Sequence, residues 1–340
     1  MFTIAINGSY PSLPDPPRPP LLQRAIDEFI NGRINEQNLV RAKQRAVIDA
    51  IAEMVVAGVE VVSDGQIQWD GGAFHICRGL SGFNISNKPY DYSEDYSNPR
   101  PIAVDPINWT RPILIDDYRF IIDRSPVDVR PVLPGPFSLA RLCDSGIYKD
   151  DIQNFSNDIA QAINREILGL EALGVKYILI EEPLLTTHKS EINNFIQTAD
   201  ILCDNVTISI ILGTSDGDIL GIEKELQSSS FKGFALDMLD GTINKDHLIN
   251  DKGWEERILQ LGLVHSYNPD VERPLDIARE LIWAAQYHNP ELIWVAPTGG
   301  LRSLTRDSAF FKLKSLYIGA EKARQEIARQ EEPGGKLAEG

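Results

Sequence analysis

Short apolar runs rich in β-branched residues alternate with longer amphipathic segments along this 340-residue chain, and this alternation constrains its fold most. Such alternation is typical of parallel βα units. In Pro274–Gln286, for example, Leu275, Ala278 and Leu281 recur at a spacing that places them on one helical face. We therefore predict an α/β protein, a (β/α)₈ TIM barrel. The eight predicted strands lie near Thr3–Asn7, Val59–Asp64, Asp128–Leu133, Tyr177–Glu181, Thr207–Leu212, Gly233–Asp237, Ile258–His265 and Leu292–Ala296. The clearest predicted helices are Val40–Ala57, Phe155–Leu173, Pro274–Gln286 and Ser308–Ala328.

One interval, Ser81–Arg130, interrupts the alternation between the second and third predicted strands. It is rich in Pro, Tyr, Asp and Asn, its pattern is not helical, and Arg111–Asp123 alternates in a way that indicates a hairpin. We predict a hairpin-like excursion over one face of the barrel, within a single domain of residues 1–328. The polar tail 329–340 is expected to be disordered.

The amino-acid composition limits the classes of binding partner and the cellular compartment that we expect. Lys and Arg total 33 against 49 Asp and Glu, a net charge of −16 that repels nucleic acid and anionic membranes. The longest apolar runs have strand length, far below the roughly 20 residues of a membrane helix. The three cysteines, Cys77, Cys143 and Cys203, are too few and too widely spaced for a disulfide framework. We expect a cytoplasmic protein with a small-molecule substrate, and a protein partner or a homo-oligomer stays open.

Polar residues or glycines follow every predicted strand, where a TIM barrel carries its chemistry. Glu181 and Glu182 are adjacent strand residues, so one carboxylate should face the barrel mouth and the other the helix layer. The inward carboxylate could bind an amine, act as a general base, or pair with a neighbouring Lys or Arg. Taken singly, Ser9, Asp64 and Thr214 could equally be helix caps or turns. The strand-end segments are Asn7-Gly8-Ser9, Asp64-Gly65-Gln66, Gly135-Pro136, Glu181-Glu182-Pro183, Gly213-Thr214-Ser215, Asp237, His265-Ser266-Tyr267 and Thr298-Gly299-Gly300.

Two further motifs allow more than one interpretation. His75-Ile-Cys77 offers two potential metal ligands, but a zinc site needs three or four, and we expect a packed helix there. The glycines at 299 and 300 could cradle a phosphate or form a tight turn. Among the histidines, His265 stands out because it ends the seventh predicted strand.

The strand-end motifs, in this order, resemble those of the C-terminal catalytic barrel of cobalamin-independent methionine synthase. The likeness spans about Thr3 to Arg324. The matching segments are Gly8-Ser9-Tyr10-Pro11, Asp64-Gly65-Gln66, Gly135-Pro136-Phe137-Ser138, Ile180-Glu181-Glu182-Pro183, Gly262–Glu272, Ala296-Pro297-Thr298-Gly299-Gly300-Leu301-Arg302 and Lys312-Leu313-Lys314.

The resemblance implies methyl transfer from a folate-type donor to homocysteine, whose thiol the family activates with zinc. The positions that match the zinc ligands read Ile211, Gly213, Asp237 and Gly299, so the resemblance also implies that the zinc site is lost. Ser9 matches a family residue unchanged. Gln66 replaces a glutamate that receives the substrate amino group, Glu181 an aspartate, Tyr267 a histidine that supplies a proton, and His265 an aspartate.

We therefore predict a metal-independent methyl or alkyl transferase, or a lyase, that acts on a small sulfur- or amine-containing substrate. Three alternatives stay open: a non-catalytic pterin- or amino-acid-binding or accessory protein, a zinc enzyme with replacement ligands from His75, Cys77, His265 or Asp237, and, by fold analogy alone, a metal-free decarboxylase. The predicted catalytic residues are Glu181, His265 and Tyr267, and the predicted substrate-binding residues are Ser9, Gln66, Asp64, Asp237 and Thr298. No metal ligand is predicted, and the folate-type methyl donor is implied by the resemblance alone.

Overall fold

The structure, a computed structural model, describes residues 1–13, 19–69, 74–85, 100–215, 217–241, 243–246 and 252–331. Strands and helices alternate through most of these residues. The strands are β1 Thr3–Ile4, β2 Val61–Val62, β3 Leu80–Asn84, β4 Ile102–Trp109, β5 Asp128–Val129, β6 Val132–Pro134, β7 Tyr177–Glu181, β8 Ser209–Thr214, β9 Gly233–Asp237, β10 Ile258–Val264 and β11 Ile293–Pro297. The α-helices are α1 Leu21–Ile30, α2 Glu36–Ala57, α3 Phe74–Gly79, α4 Ile115–Ile122, α5 Pro136–Leu142, α6 Ile152–Ala172, α7 Ile192–Leu202, α8 Glu223–Ser228, α9 Pro274–Ala284 and α10 Arg306–Glu331.

A curled, entirely parallel sheet forms the centre of the molecule. Its seven strands among the described residues run in the order β1-β11-β10-β9-β8-β7-β6. A separate parallel pair, β2 with β5, lies beside it, and Ala5 forms a parallel bridge with Val61. Because parallel neighbours align their carboxyl ends, the polar residues that follow these strands are gathered at one end.

The two faces of the strands bury different clusters. One small cluster takes one residue from each of eight strand segments and fills the interior of the curled sheet. The larger cluster packs the other strand face against the helices. This alternation of sides follows from the two-residue period of a strand. The interior cluster consists of Ala5, Val61, Val132, Leu179, Ile211, Ala235, Ile258 and Trp294.

Local sequence signals mark the first residues of two helices, and α2 begins at Glu36, four residues before its predicted start. The Asn35 side chain accepts a hydrogen bond from the backbone N–H of Asn38 at 3.0 Å and caps α2. Pro274 occupies the first turn of α9, where its missing N–H costs nothing. Strands occur at all eight predicted positions and all four predicted helices occur, with ends shifted by a few residues. The third predicted strand, Asp128–Leu133, is divided into β5 and β6.

The predicted hairpin over Arg111–Asp123 is wrong, because these residues contain helix α4. The carboxylate of Glu166, on helix α6, accepts hydrogen bonds from the backbone N–H groups of Ile113, Leu114 and Ile115 at 2.6–3.1 Å. It therefore satisfies the free donors at the start of α4 from a distant part of the chain. An antiparallel pair does occur nearby, between β3 and β4, but residues 86–99 between these strands lie outside the described residues.

The last helix, α10, ends at Glu331, and the remainder of the predicted tail, residues 332–340, lies outside the described residues. Among the residues that are described, no helix combines the length and the apolar character that crossing a membrane would require.

Candidate active site

A buried arginine lies beneath the carboxyl ends of the strands. The Arg130 guanidinium donates to Oε1 of Gln260 at 2.6 Å, to the carbonyl oxygen of Ile6 at 2.7 Å and to Oδ1 of Asn7 at 3.3 Å. Burial lowers the pKa of Arg130 to about 10, against the opposing effect of the Glu181 charge. The guanidinium remains a cation at neutral pH, so a fixed positive charge lies under the mouth of the curled sheet.

Glu181 ends strand β7 near this cation. It is partly buried, and none of the residues that the structure describes donates a hydrogen bond to its side chain. Burial raises the pKa of Glu181 to about 7, although the Arg130 charge lowers it. A carboxyl group that titrates near neutral pH can both accept and release a proton.

Gln66 and Glu181 converge on the backbone of Gly8. A Cβ atom built on Gly8 would lie 3.2 Å from Nε2 of Gln66 and 3.4 Å from Oε1 of Glu181. Gly8 has φ +47°, a left-handed conformation that glycine adopts without strain. The structure thus brings these two predicted site residues together, one amide and one carboxylate.

The turn after β2 holds Gln66 in an unusual conformation. Gln66 has φ +49°, its N–H donates to Oδ1 of Asp64 at 3.0 Å, and its carbonyl oxygen accepts from Arg302 at 2.6 Å. Asp64 is buried, which raises its pKa to about 6, and its oxygens also accept from Nε1 of Trp69 and from the hydroxyl of Tyr118. In this arrangement Asp64 positions Gln66, and such backbone strain in a non-glycine residue is typical of functional sites.

Glu182 faces the opposite side of β7, as the alternation of strand residues predicts. Its carboxylate accepts hydrogen bonds from the backbone N–H groups of Phe137 at 3.0 Å and Ser138 at 2.7 Å. It therefore binds the N-terminus of helix α5, where a negative charge is favourable. Burial nevertheless raises the pKa of Glu182 to about 7.

His265 and Tyr267 lie together around a third residue, Asp240. The Tyr267 hydroxyl donates to Oδ2 of Asp240, and the same oxygen lies 3.9 Å from Nδ1 of His265. The backbone N–H of His265 donates a hydrogen bond to Oε1 of Glu272 at 2.8 Å. Asp240 was not predicted from the sequence, because only Asp237 was singled out after β9, although Asp240 follows three residues later.

Two further predicted residues, Asp237 and Thr298, are buried where strands β9 and β11 end. Asp237 is buried; its Oδ1 accepts from the N–H groups of Leu239 and Asp240 at 2.8 and 3.0 Å, and its Oδ2 has no hydrogen-bond partner among the described residues. Oγ1 of Thr298 accepts from the N–H of Ser266 at 3.2 Å. Both side chains therefore help to hold the loops that follow β9 and β10.

Ser9 packs against the loop that follows β11. Its carbonyl oxygen accepts from the N–H of Leu301 at 2.7 Å, and a Cβ on Gly300 would lie only 2.2 Å from Oγ of Ser9. The close approach of these two loops therefore accounts for Gly300, and a phosphate cradle is not needed to explain it.

The residues at the positions implied for zinc do not fit this metal. Ile211 packs inside the curled sheet, and Gly213 and Gly299 have no side chain. Asp237 uses one of its two oxygens in its own loop. Catalytic zinc takes three protein ligands, and this set offers one.

The replacement ligands considered above are not gathered either. The ring of His75 stacks on Trp69, with centroids 5.0 Å apart, and Sγ of Cys77 faces Cys143. Throughout the part of the chain that the structure describes, no three His, Cys, Asp or Glu side chains group closely enough to hold a metal ion.

Fold and site together define an α/β protein with a polar, carboxylate-bearing site at the ends of parallel strands. A family model described as the N-terminal domain of cobalamin-independent synthase matches residues 73–281, more than half of the chain. The chain belongs to the cobalamin-independent synthase family, which confirms the family resemblance, although that resemblance was drawn to the C-terminal barrel.

Relatives match along nearly the whole chain. The methionine synthase of Sulfurisphaera tokodaii is 27% identical over 323 residues, 95% of this chain and 92% of its own length. That of Saccharolobus solfataricus is 27% identical over 334 residues, 97% of each chain. Among solved structures, a B12-independent methionine synthase from Shewanella sp. W3-18-1 has a TM-score of 0.80 at 19% identity and covers 96% of this chain and 98% of its own. This last likeness shows the fold.

Proposed function

We propose that this protein transfers a methyl or related alkyl group to a small sulfur- or amine-containing substrate, without zinc held by its own side chains. The observation that carries the proposal is the position of the Glu181 carboxylate, beside Gln66 and near the buried Arg130. Burial at this position raises the pKa of Glu181 to about 7. Family membership supports methyl transfer. The donor set described above supports independence from zinc.

The proposal includes a closed (β/α)₈ barrel formed by a single domain of residues 1–328. The N–H of Ile6 donates to the carbonyl oxygen of Val61 at 3.2 Å, and the N–H of Glu60 donates to that of Ile4 at 2.8 Å, which links β1 to β2. Strand β5, which pairs with β2, continues after two residues into β6. These links favour a closed barrel in which β2 is the second strand and β5 together with β6 forms the third.

In the proposed reaction Glu181 takes the proton of the acceptor S–H or N–H group as the new bond to the methyl carbon forms. The bond between that carbon and the donor breaks, and its electron pair stays on the donor. Tyr267, oriented by Asp240, supplies the proton that the donor atom needs, with His265 beside the same carboxylate. Gln66 orients the acceptor, and a folate-type donor fits this scheme because its departing nitrogen takes up a proton.

The Shewanella protein was solved in complex with selenomethionine. By analogy, an amino acid that carries sulfur or selenium is the first acceptor or product class to test.

Open space beside Gly213 and Gly299, where the family's zinc ligands would stand, would favour the alternative of a binding protein. A Cβ on Gly213 would lie 3.2 Å from Cδ1 of Leu179, and one on Gly299 would lie 3.3 Å from Oγ of Ser266. Neighbouring side chains thus approach both positions closely, and we place the transferase first.

The test is a mass-spectrometric assay of methyl transfer from methyltetrahydrofolate to homocysteine and other small thiols and amines. Glu181→Gln removes the proton acceptor, and we expect a loss of about 100-fold or more, typical of a general base. Glu256→Gln, at an exposed position before strand β10, is the matched control and should keep wild-type turnover. A Glu181→Gln variant with turnover within twofold of wild type would reject the proposed role. Ligands that raise the melting temperature without any turnover would favour the binding protein.

A further inference from the structure

Two cysteines that are far apart in sequence meet in the structure. Cys77 lies on helix α3 and Cys143 directly follows helix α5, and their Sγ atoms are 3.8 Å apart. Both are reduced and buried, with 1% and 6% of their surfaces exposed. The third cysteine, Cys203, follows helix α7 and is also reduced.

We propose that Cys77 and Cys143 form a reversible disulfide, which makes this pair a redox modification site. A disulfide bond is about 2.05 Å long, so the two Sγ atoms, now 3.8 Å apart, must approach by somewhat less than 2 Å. Once one of the two thiols has formed a mixed disulfide with an oxidant, the thiol held beside it attacks that bond far faster than a separate thiol would. In an intracellular protein a disulfide of this kind is expected to be transient, not a permanent crosslink.

The bond would join two segments that support the proposed site. Helix α3 is linked to the turn of Gln66 because His75 stacks on Trp69, which donates to Asp64. Helix α5 is linked to strand β7 at its other end, where Glu182 caps it. Oxidation would therefore fix the spacing between the turn that carries Gln66 and the end of strand β7 that carries Glu181.

The oxidant class is a small disulfide, such as oxidised glutathione. Cys143, the more exposed of the two, attacks one glutathione sulfur as a thiolate; a mixed disulfide forms and one glutathione thiolate leaves. Cys77 then attacks Sγ of Cys143, the protein disulfide forms and the second glutathione leaves, so two protein thiols are oxidised and one glutathione disulfide is reduced. Burial and the neighbouring Cys143 raise the pKa of Cys77, which keeps the reduced pair stable and makes the reaction slow at neutral pH.

The experiment equilibrates the native full chain in reduced and oxidised glutathione at a series of ratios, then blocks free thiols and measures intact mass. We expect the loss of two hydrogens in a single transition, a non-reduced peptide that joins residues 77 and 143, and a free thiol at Cys203. The oxidised form should melt roughly 5 °C higher, because the crosslink restricts the unfolded chain.

Two variants separate the steps. Cys77→Ser should stop at the mixed disulfide and gain the mass of one glutathione on Cys143, whereas Cys203→Ser should oxidise like the wild type. The wild-type peptide map is decisive even if a serine variant fails to fold. Three free thiols across the whole series, or a crosslink that forms only in denaturant or includes Cys203, would overturn the proposal. None of these results depends on turnover, so the assay also stands apart from the proposed function.

Discussion

Replacement of Glu181 by glutamine should stabilise the protein, and more so at higher pH. The pKa of Glu181 rises from its ordinary value of 4.5 to about 7 in the folded protein, because burial disfavours the charged form. The folded state therefore holds this proton more tightly than the unfolded chain does. The stabilisation of the folded state by this bound proton is complete below about pH 4.5 and is lost as pH rises through about 7.

The magnitude follows from the size of this shift. At about 1.36 kcal/mol per pKa unit, the free energy of unfolding of Glu181→Gln, relative to wild type, should rise by about 2 kcal/mol between pH 5.5 and pH 8. Solvent reaches the partly exposed carboxylate, so we expect about 1 to 2 kcal/mol. Asp64 and Glu182 also have raised pKa values, but they are present in both proteins, and their effects cancel in the comparison.

The assay is urea denaturation of the wild type, Glu181→Gln and the exposed control Glu256→Gln at pH 5.5 and pH 8. The free energy of unfolding of Glu181→Gln, relative to wild type, should rise between the two pH values, whereas that of Glu256→Gln should stay constant. A constant difference for Glu181→Gln would refute the raised pKa, and with it the reason for choosing this carboxylate as the proton acceptor.

Four further substitutions test buried contacts of the structure by urea denaturation. Arg130→Met should cost about 2 to 3 kcal/mol, because buried acceptors lose their donor. Gly300→Ala should cost about 1 to 3 kcal/mol, because its Cβ would lie 2.2 Å from Oγ of Ser9. Gly299→Ala should cost clearly less, because its Cβ would lie 3.3 Å from Oγ of Ser266. Glu166→Ala should cost about 3 kcal/mol, because helix α4 loses its cap and the indole N–H of Trp109 loses its acceptor.

Each of these results has a contrary outcome. Arg130→Met with unchanged stability would mean that the buried polar layer is dispensable. Equal effects at positions 299 and 300 would contradict the close approach of Ser9. A stable Glu166→Ala protein whose helix α4 keeps its protection from hydrogen exchange would show that the cap does not determine this helix.

Strand positions could be predicted from the sequence because each strand is a short apolar run followed by a turn. The partners of the polar residues could not, because they come from distant parts of the chain. Helix α4 is capped by Glu166, which lies more than 50 residues away in sequence, and the contacts of Arg130 span more than 120 residues. No local pattern around either segment carries this information.

The same distinction applies to the site. The two-residue period of a strand places Glu181 and Glu182 on opposite faces, and both faces are as expected. The conformation of Gln66 depends on Arg302, which is 236 residues away. Asp240 could have been found, since it is a carboxylate only three residues beyond β9.

A measurement of turnover at known zinc contents tests most directly whether the site works through its own carboxylate and without zinc. Protein stripped with a chelator, and the same protein given graded amounts of zinc, would be assayed with the same methyl donor and acceptor while bound metal is measured by elemental analysis. We predict turnover that is the same at every zinc content and is lost in Glu181→Gln. Turnover that is absent from zinc-free protein and rises in proportion to bound zinc would contradict a site that works through its own carboxylate.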